Sequence, residues 1–185
     1  MSDLSAIFTD LGALLTRIRT ELLKKKADKR RISHSLAKEF SEKLVSKGAR
    51  LLKTGPKNSN YFCAEISGTT WGISPFASLE GWWDSPSKGF RRTVKELGCR
   101  WGVVFFDLRS EKKSDRKGFW VEGNVLDEKI LKGGPNVNFP GISKAEREDY
   151  AHSFYGLAEF IDLLKRETER KPKVFLRKSK PDPTS

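Results

Sequence analysis

Three acidic residues lie inside or at the end of segments that are otherwise apolar and strand-like: Glu65, Asp107 and Glu122. A carboxylate without a partner is costly in such surroundings. Two or three carboxylates brought together on adjacent strands would bind Mg²⁺, with Asp107 and Glu122 as the metal ligands. A magnesium ion in a basic groove polarises a phosphodiester, so the three residues are candidate catalytic residues of a metal-dependent nuclease. The competing interpretation is structural: the same carboxylates pair with arginines across the sheet, namely Arg100, Arg109 and Arg116.

Positive charge dominates the composition of the chain. Its 185 residues include 36 Lys and Arg against 24 Asp and Glu, which gives a formal net charge of +12. A field of that sign favours polyanions, above all nucleic acid. We therefore expect the protein to bind DNA or RNA through a basic face that also carries aromatic side chains. An acidic protein partner, an anionic membrane surface and a charge that only keeps the protein soluble are the alternatives.

The candidate nucleic-acid-binding residues fall into three basic segments and one aromatic pair. They are Lys24, Lys25, Lys26, Arg30 and Arg31 in the first segment, Arg91, Arg92 and Lys95 in the second, Lys112, Lys113, Arg116 and Lys117 in the third, and the tryptophans Trp82 and Trp83. Lysine and arginine would neutralise phosphates, and an exposed tryptophan would stack on a base. We expect these segments to merge into one face. A solvated helix end or hairpin tip carries similar charges, so function and solubility remain competing explanations of each segment.

Cysteine and histidine are too few to form a zinc site. The chain has two of each, Cys63 and Cys99 with His34 and His152, and none follows zinc-ligand spacing. We expect the cysteines to be buried free thiols in a reducing cytosol. No cofactor is expected unless the protein is a nuclease that uses Mg²⁺. No segment approaches membrane-spanning length and no signal peptide is recognisable, so we expect a cytoplasmic protein without a membrane partner.

The strands that must position these residues are predicted from runs of β-branched and aromatic residues. A central hairpin joins Arg100–Leu108 to Gly118–Leu126 through a charged loop, and its first strand is apolar enough to be buried on both faces. Two further strands, Tyr61–Ile66 and Thr70–Ser74, form a meander that Pro75 stops.

The helices are predicted from apolar residues three and four positions apart. An apolar stripe from residue 4 to residue 22 indicates a helix over 5–25, which either packs on the sheet or docks a partner. A second helix begins at Ser33 or Ser35, and it presents Leu36, Phe40 and Leu44 on one face. A short helix occupies Lys88–Leu97 and ends at Gly98, and a last helix opens at Ser143, through a capping box, and runs to Leu164.

These elements predict an α+β protein. We expect a mostly antiparallel sheet of four or five strands, packed against an N-terminal helical hairpin (residues 1–53) and a C-terminal helix. The sheet and last helix form a core domain (54–166), and a basic, proline-containing tail (167–185) is expected to be disordered.

Three functions follow in order of preference. The first is a nucleic-acid-binding protein from a phage, defence system or mobile element. The second is the magnesium-dependent nuclease. The third is an interaction subunit that docks a second copy or another protein through residues 4–22.

Overall fold

The computed structural model describes residues 9–112, 116–131, 136–138 and 150–170. The helices in these ranges are α1 (Thr9–Leu22), α2 (Lys29–Ser46), α3 (Lys88–Glu96), α4 (Gly123–Val125) and α5 (Leu157–Glu169), and a π-helical turn at Leu126–Leu131 follows α4. The strands are β1 (Arg50–Thr54), β2 (Phe62–Ile66), β3 (Thr69–Ser78), β4 (Trp82–Asp84), β5 (Arg100–Asp107), β6 (Lys117–Glu122), β7 (Asn136–Asn138) and β8 (Ala151–Phe154).

Six of these strands form one mixed sheet in the order β1-β2-β3-β5-β6-β8, and β4 pairs with β7 apart from it. Every pairing in the large sheet is antiparallel except that of β3 with β5. Two parallel neighbours need a crossover connection, and α3 lies in it. The α+β class and the antiparallel majority are therefore confirmed, with one or two strands more than expected.

Strand β1 was not anticipated, and it forms an edge of the sheet. All five of its residues are exposed, so no alternation of apolar and polar residues marks it in the sequence. Its register against β2 shifts between Leu51 and Lys53, which is a bulge of the kind that protects sheet edges. The predicted domain boundary at residue 53 falls inside this strand.

Strand β3 runs past Pro75 to Ser78, so the prediction that proline stops it is wrong. The partner strand β2 begins at Phe62, opposite Ile73. Beyond Ile73, β3 has a strand neighbour on one side only, namely β5. A missing backbone N–H is tolerated where one side of a strand has no partner.

The helix α2 begins at Lys29, earlier than predicted. Its N-cap is Asp28, whose carboxylate accepts the backbone N–H of Arg31 at 3.1 Å. A cap at Ser33 or Ser35 is therefore wrong, because a capping aspartate inside the basic run takes that role. The predicted buried face of this helix is confirmed, with Phe40 among its fully buried residues.

The C-terminal region is a strand followed by a helix. Residues Ala151–Phe154 form β8 and pair with β6, so the prediction of one helix running through Tyr150 to Leu164 is wrong there. The extended residue Gly156 separates β8 from α5. The tail predicted from residue 167 begins too early, because α5 continues to Glu169 and buries Glu167. The predicted capping box at residues 143–146 and the rest of the tail, from residue 171, lie outside the described residues.

Helices cover both faces of the sheet. On the first face α1, α2 and α5 bury the largest cluster, in which Phe40 contacts Phe106 and Phe160 at centroid distances of 5.5 and 5.4 Å. The described part of the predicted docking stripe, Leu11 to Ile18, is buried in the same cluster. On the second face α3 packs closely over Gly72, where an added Cβ would lie 2.2 Å from Val94.

Candidate nucleic-acid interface

Each of the three predicted carboxylates contacts an arginine. Glu65 on β2 pairs with Arg50 on β1. Asp107 accepts from Arg109 Nε at 3.1 Å, and Glu122 accepts from the Arg100 guanidinium at 2.7 Å. Of the arginines that the structural interpretation names, Arg100 pairs across the sheet as expected. Arg109 lies only two residues along the chain from Asp107, and Arg116 takes no part.

The structure does not bring the three carboxylates together. Asp107 lies opposite Lys117 at one end of the β5–β6 pair, and Glu122 lies opposite Gly102 at the other. Because side chains alternate along a strand, Asp107 belongs to the face of α3 and Glu122 to the face of α5. Within the described ranges, no three His, Cys, Asp or Glu residues form a group that could hold a metal ion.

Arg100 fixes the end of α5 to the sheet. Its guanidinium donates to the carbonyl oxygen of Glu167 at 2.6 Å as well as to the carboxylate of Glu122. It also lies 4.7 Å from the ring centroid of Trp71, which is cation–π distance. Glu122 therefore serves a structural contact between sheet and helix.

In the third basic segment, Arg116 is only 7% exposed. It donates to the carbonyl oxygens of Ser110 (3.2 Å) and Glu111 (2.8 Å) and to the hydroxyl of Thr16 (3.0 Å). Burial, and secondarily the nearby Arg19 guanidinium, lower the pKa of Arg116. This side chain is committed to the protein interior.

The other lysines of that segment have different surroundings. Lys112 is exposed in the loop between β5 and β6. Lys117 is half-buried, with its ammonium group 4.9 Å from the ring centroid of Phe119. Lys113 lies outside the described residues.

The second basic segment lies on α3, and acidic residues partly neutralise it. Arg91 makes two hydrogen bonds to Asp127, at 2.6 and 2.7 Å, and also lies over the ring of Trp101. Arg92 lies 3.9 Å from a carboxylate oxygen one helical turn away. Lys95 is exposed. This segment covers the second face of the sheet, so it does not adjoin the N-terminal helices.

The first basic segment is the most available to a ligand, and we call residues 24–31 the basic turn. Its six cations are all exposed; they are Lys24, Lys25, Lys26, Lys29, Arg30 and Arg31. No carboxylate in the described part of the chain pairs with any of them, and Asp28 uses its carboxylate as the N-cap of α2. The first turn of α2 thus has cations at the positive end of the helix dipole, an unfavourable placement that a bound anion would relieve.

The basic turn and the β5–β6 loop meet at the same end of the sheet. Arg19, one turn before the end of α1, donates to the carbonyl oxygen of Leu108 at 3.1 Å and lies 3.7 Å from the carboxylate of Glu111. His34 Nδ1 donates to the carbonyl oxygen of Ser59 at 2.8 Å, which brings the loop before β2 to the same end. The first and third basic segments therefore lie at the same end of the sheet, and the second segment, on α3, does not join them.

The predicted aromatic pair is only partly described. Trp83 is buried, with its ring centroid 5.3 Å from that of Phe105. A side chain in that position packs the core and does not stack on a nucleic acid. The side chain of Trp82 lies outside what the structure describes.

Comparisons of this chain with protein-family models, with curated proteins and with solved structures found no match. No helix in the described ranges is both long enough and apolar enough to span a membrane. The function of the protein therefore has to follow from its own residues.

Proposed function

We propose that this protein binds nucleic acid, DNA or RNA, through the basic turn at residues 24–31. The observation that carries the proposal is the density there of exposed positive charge that no carboxylate in the described residues neutralises. Six cations occupy eight consecutive positions, whereas Arg91, Arg100 and Arg116 are held by carboxylates or carbonyl oxygens of the protein.

The contacts in this proposal are made to phosphates. Lysine and arginine side chains on a turn reach the backbone of a polynucleotide and displace its condensed counterions, which makes binding strong at low salt and weak at high salt. Such contacts position the protein and carry no base information. Lys112, exposed in the β5–β6 loop at the same end of the sheet, is a further candidate contact to phosphate.

A cytoplasmic setting fits the cysteine chemistry. Cys63 and Cys99 are both free, and Cys63 is buried. Free thiols persist in a reducing compartment, which is also where nucleic acids are found.

The test compares two triple charge reversals of equal size. Lys24→Glu, Lys25→Glu and Lys26→Glu change the basic turn, and the matched control reverses the exposed α3 cations Lys88, Arg92 and Lys95. Binding of a labelled duplex and a labelled single strand is measured by fluorescence anisotropy at low salt. We expect the basic-turn variant to lose on the order of 100-fold in affinity, and the control to lose much less.

Two results would contradict the proposal. One is a wild-type protein that binds neither strand type at low salt. The other is an equal loss in both variants, because that outcome reports only the net charge and gives the basic turn no special part.

A further inference from the structure

A cavity of about 230 Å³ lies beside the basic turn. It is enclosed by the end of α1, the first two turns of α2 and the residues from the end of β3 to β4. Its lining is mixed: apolar side chains, among them Leu22, Ile32, Leu36, Phe76, Leu79 and Trp83, alternate with the polar or charged residues Lys29, Ser33, Ser78, Glu80 and Asp84. A concave site that combines apolar side chains with a small number of polar groups can bind a small ligand and fix its orientation.

The cavity and the basic turn share a residue. Lys29 lines the cavity and is also one of the six exposed cations. Leu22, at the end of α1, lines it too, two residues before the basic turn begins. A phosphate bound by the basic turn therefore has its own nucleotide next to the cavity opening.

The opposite rim of the cavity is acidic. Glu80 and Asp84 line it, and neither has an ion pair or side-chain hydrogen bond with any described residue. The turn that carries Glu80 is held in place by the Ser78 hydroxyl, which accepts the backbone N–H groups of Glu80 and Gly81 at 3.1 and 2.9 Å. Carboxylates repel phosphate but accept N–H donors, so this rim suits a base and not the backbone.

Shape and chemistry together select the occupant. The apolar part of the lining suits the flat surface of a base, and the paired oxygens of a carboxylate match two adjacent N–H donors. Among the standard bases, guanine alone presents two adjacent N–H groups on its Watson–Crick edge, whereas thymine presents one N–H between two carbonyl oxygens. A base in a duplex cannot enter a side cavity without leaving its stack, so a single strand is favoured.

We propose that the cavity binds one unstacked guanine of a single-stranded nucleic acid whose phosphates lie on the basic turn. This inference rests on the proposed function and adds to it a strand type and a base. Phosphate binding alone does not account for the two carboxylates at the rim, whereas binding of a guanine gives them a role.

The experiment measures a ratio of affinities by fluorescence anisotropy. One strand is an oligothymidine of about 15 nucleotides, and the other is the same strand with a single central guanine. Two variants change the cavity: Ser33→Trp fills it from α2, and the double variant Glu80→Gln with Asp84→Asn removes the acceptor charge. The controls are Ser33→Ala and the pair Glu96→Gln with Asp162→Asn, which removes the same charge elsewhere.

We expect the wild-type protein to bind the guanine-containing strand about tenfold tighter than the all-thymine strand. Both cavity variants should bring that ratio close to one, and their affinity for duplex should fall less than threefold. Both control variants should keep the wild-type ratio. If Ser33→Trp fails to fold, the carboxylate pair still decides the question.

A wild-type ratio of one, or a ratio that survives both cavity variants, overturns this inference and leaves phosphate binding by the basic turn in place. Absence of binding to every strand overturns the proposed function, and this inference with it. The two failures are therefore distinguishable.

Discussion

The guanidinium of Arg116 donates to the hydroxyl of Thr16, a residue 100 positions earlier in the chain, at 3.0 Å. The same hydroxyl donates to the carbonyl oxygen of Gly12 at 2.7 Å. Arg116 also holds Ser110 and Glu111 of its own loop, so a single side chain fastens the β5–β6 loop to α1. This contact places the loop at the same end of the sheet as the basic turn.

Replacing Arg116 with alanine should destabilise the fold. The substitution leaves two carbonyl oxygens and a hydroxyl without their donor, and we expect the free energy of unfolding to fall by about 2–4 kcal/mol. Urea denaturation followed by tryptophan fluorescence measures this change. Arg92→Ala on the exposed face of α3 is the control, with an expected change of about 0.5 kcal/mol or less. Equal midpoints for the two variants would contradict the buried role of Arg116.

Binding by the basic turn should depend steeply on salt. The logarithm of the binding constant falls linearly with the logarithm of salt concentration, with a slope of about −0.9 for each phosphate contacted in duplex DNA. Removing the charge of Lys24, Lys25 and Lys26 by alanine substitution should make that slope shallower by about 2 to 3 units. A slope that does not change in the triple variant would show that these cations contact no phosphate.

The position of Glu122 predicts a structural role. Its pairing with Arg100 predicts that Glu122→Gln lowers the free energy of unfolding by about 1–3 kcal/mol, because a half-buried guanidinium loses its charged partner. Adding Mg²⁺ should leave the melting temperature of the wild-type protein unchanged. A magnesium-dependent rise that Glu122→Gln abolishes would instead support the nuclease interpretation. Thermal unfolding with and without the ion measures both quantities.

Two glycines should respond to alanine in opposite directions. At Gly102 the new Cβ would lie 2.5 Å from the Trp120 ring and from the Val121 carbonyl oxygen, so we expect a loss of about 2 kcal/mol or more. At Gly12, inside α1, no described atom apart from the chain neighbours and the backbone of the helix itself lies within 4 Å of that position, and alanine should add about 0.5–1 kcal/mol. Urea midpoints of the two variants compare these effects directly. A gain at Gly102 would contradict the packing of Trp120 on β5.

The buried thiol of Cys63 should make stability depend on pH in the alkaline range. Burial, assisted by the neighbouring Cys99 thiol, raises the pKa of Cys63 from an ordinary 9.0 to about 12. Below about pH 9 both folded and unfolded states hold the proton, so the stabilisation is fully present. Above it only the unfolded state ionises, and stability is lost progressively towards pH 12.

The measurement for Cys63 is the difference in free energy of unfolding between the wild-type protein and Cys63→Ala. We expect that difference to shrink between pH 9 and pH 10.5, by up to about 1.4 kcal/mol for each pH unit. The comparison cancels the titration of lysines and tyrosines, which both proteins share. A difference that stays constant over this range would show that the thiol is accessible to water.

The sequence predicted the central strands well because their burial is complete. Val103, Val104, Phe105 and Phe106 all have no exposed surface, so a continuous apolar run is the correct signature for β5. The strands at the edges of the sheet are harder to predict. Strand β1 is exposed throughout, and its residues carry no pattern that distinguishes a strand from a loop. The apolar spacing predicts helix at residues 151–154 because their pairing with β6 is a long-range contact that local spacing does not record.

Only part of the candidate site was predictable, because the sequence does not record burial and long-range contacts. The count of charges shows how many cations the chain has. It does not show which of them are bound within the fold and which are exposed to a ligand. Arg116 and Lys112 stand in the same charged loop, yet one is buried and the other exposed. The basic turn was recognisable from its density alone, whereas the cavity beside it combines residues 22–36 with residues 76–84 and has no sequence signature.

The packing of Phe40 against Phe106 and Phe160 has a consequence for synthesis of the chain. A ribosome that adds roughly 5–20 residues each second completes α2 about 6–23 seconds before it reaches Phe160. Through that interval the apolar side of the first two helices lacks α5 as a packing partner. We expect nascent chains of this protein to depend on holding chaperones, and cooler growth to raise the yield of folded product.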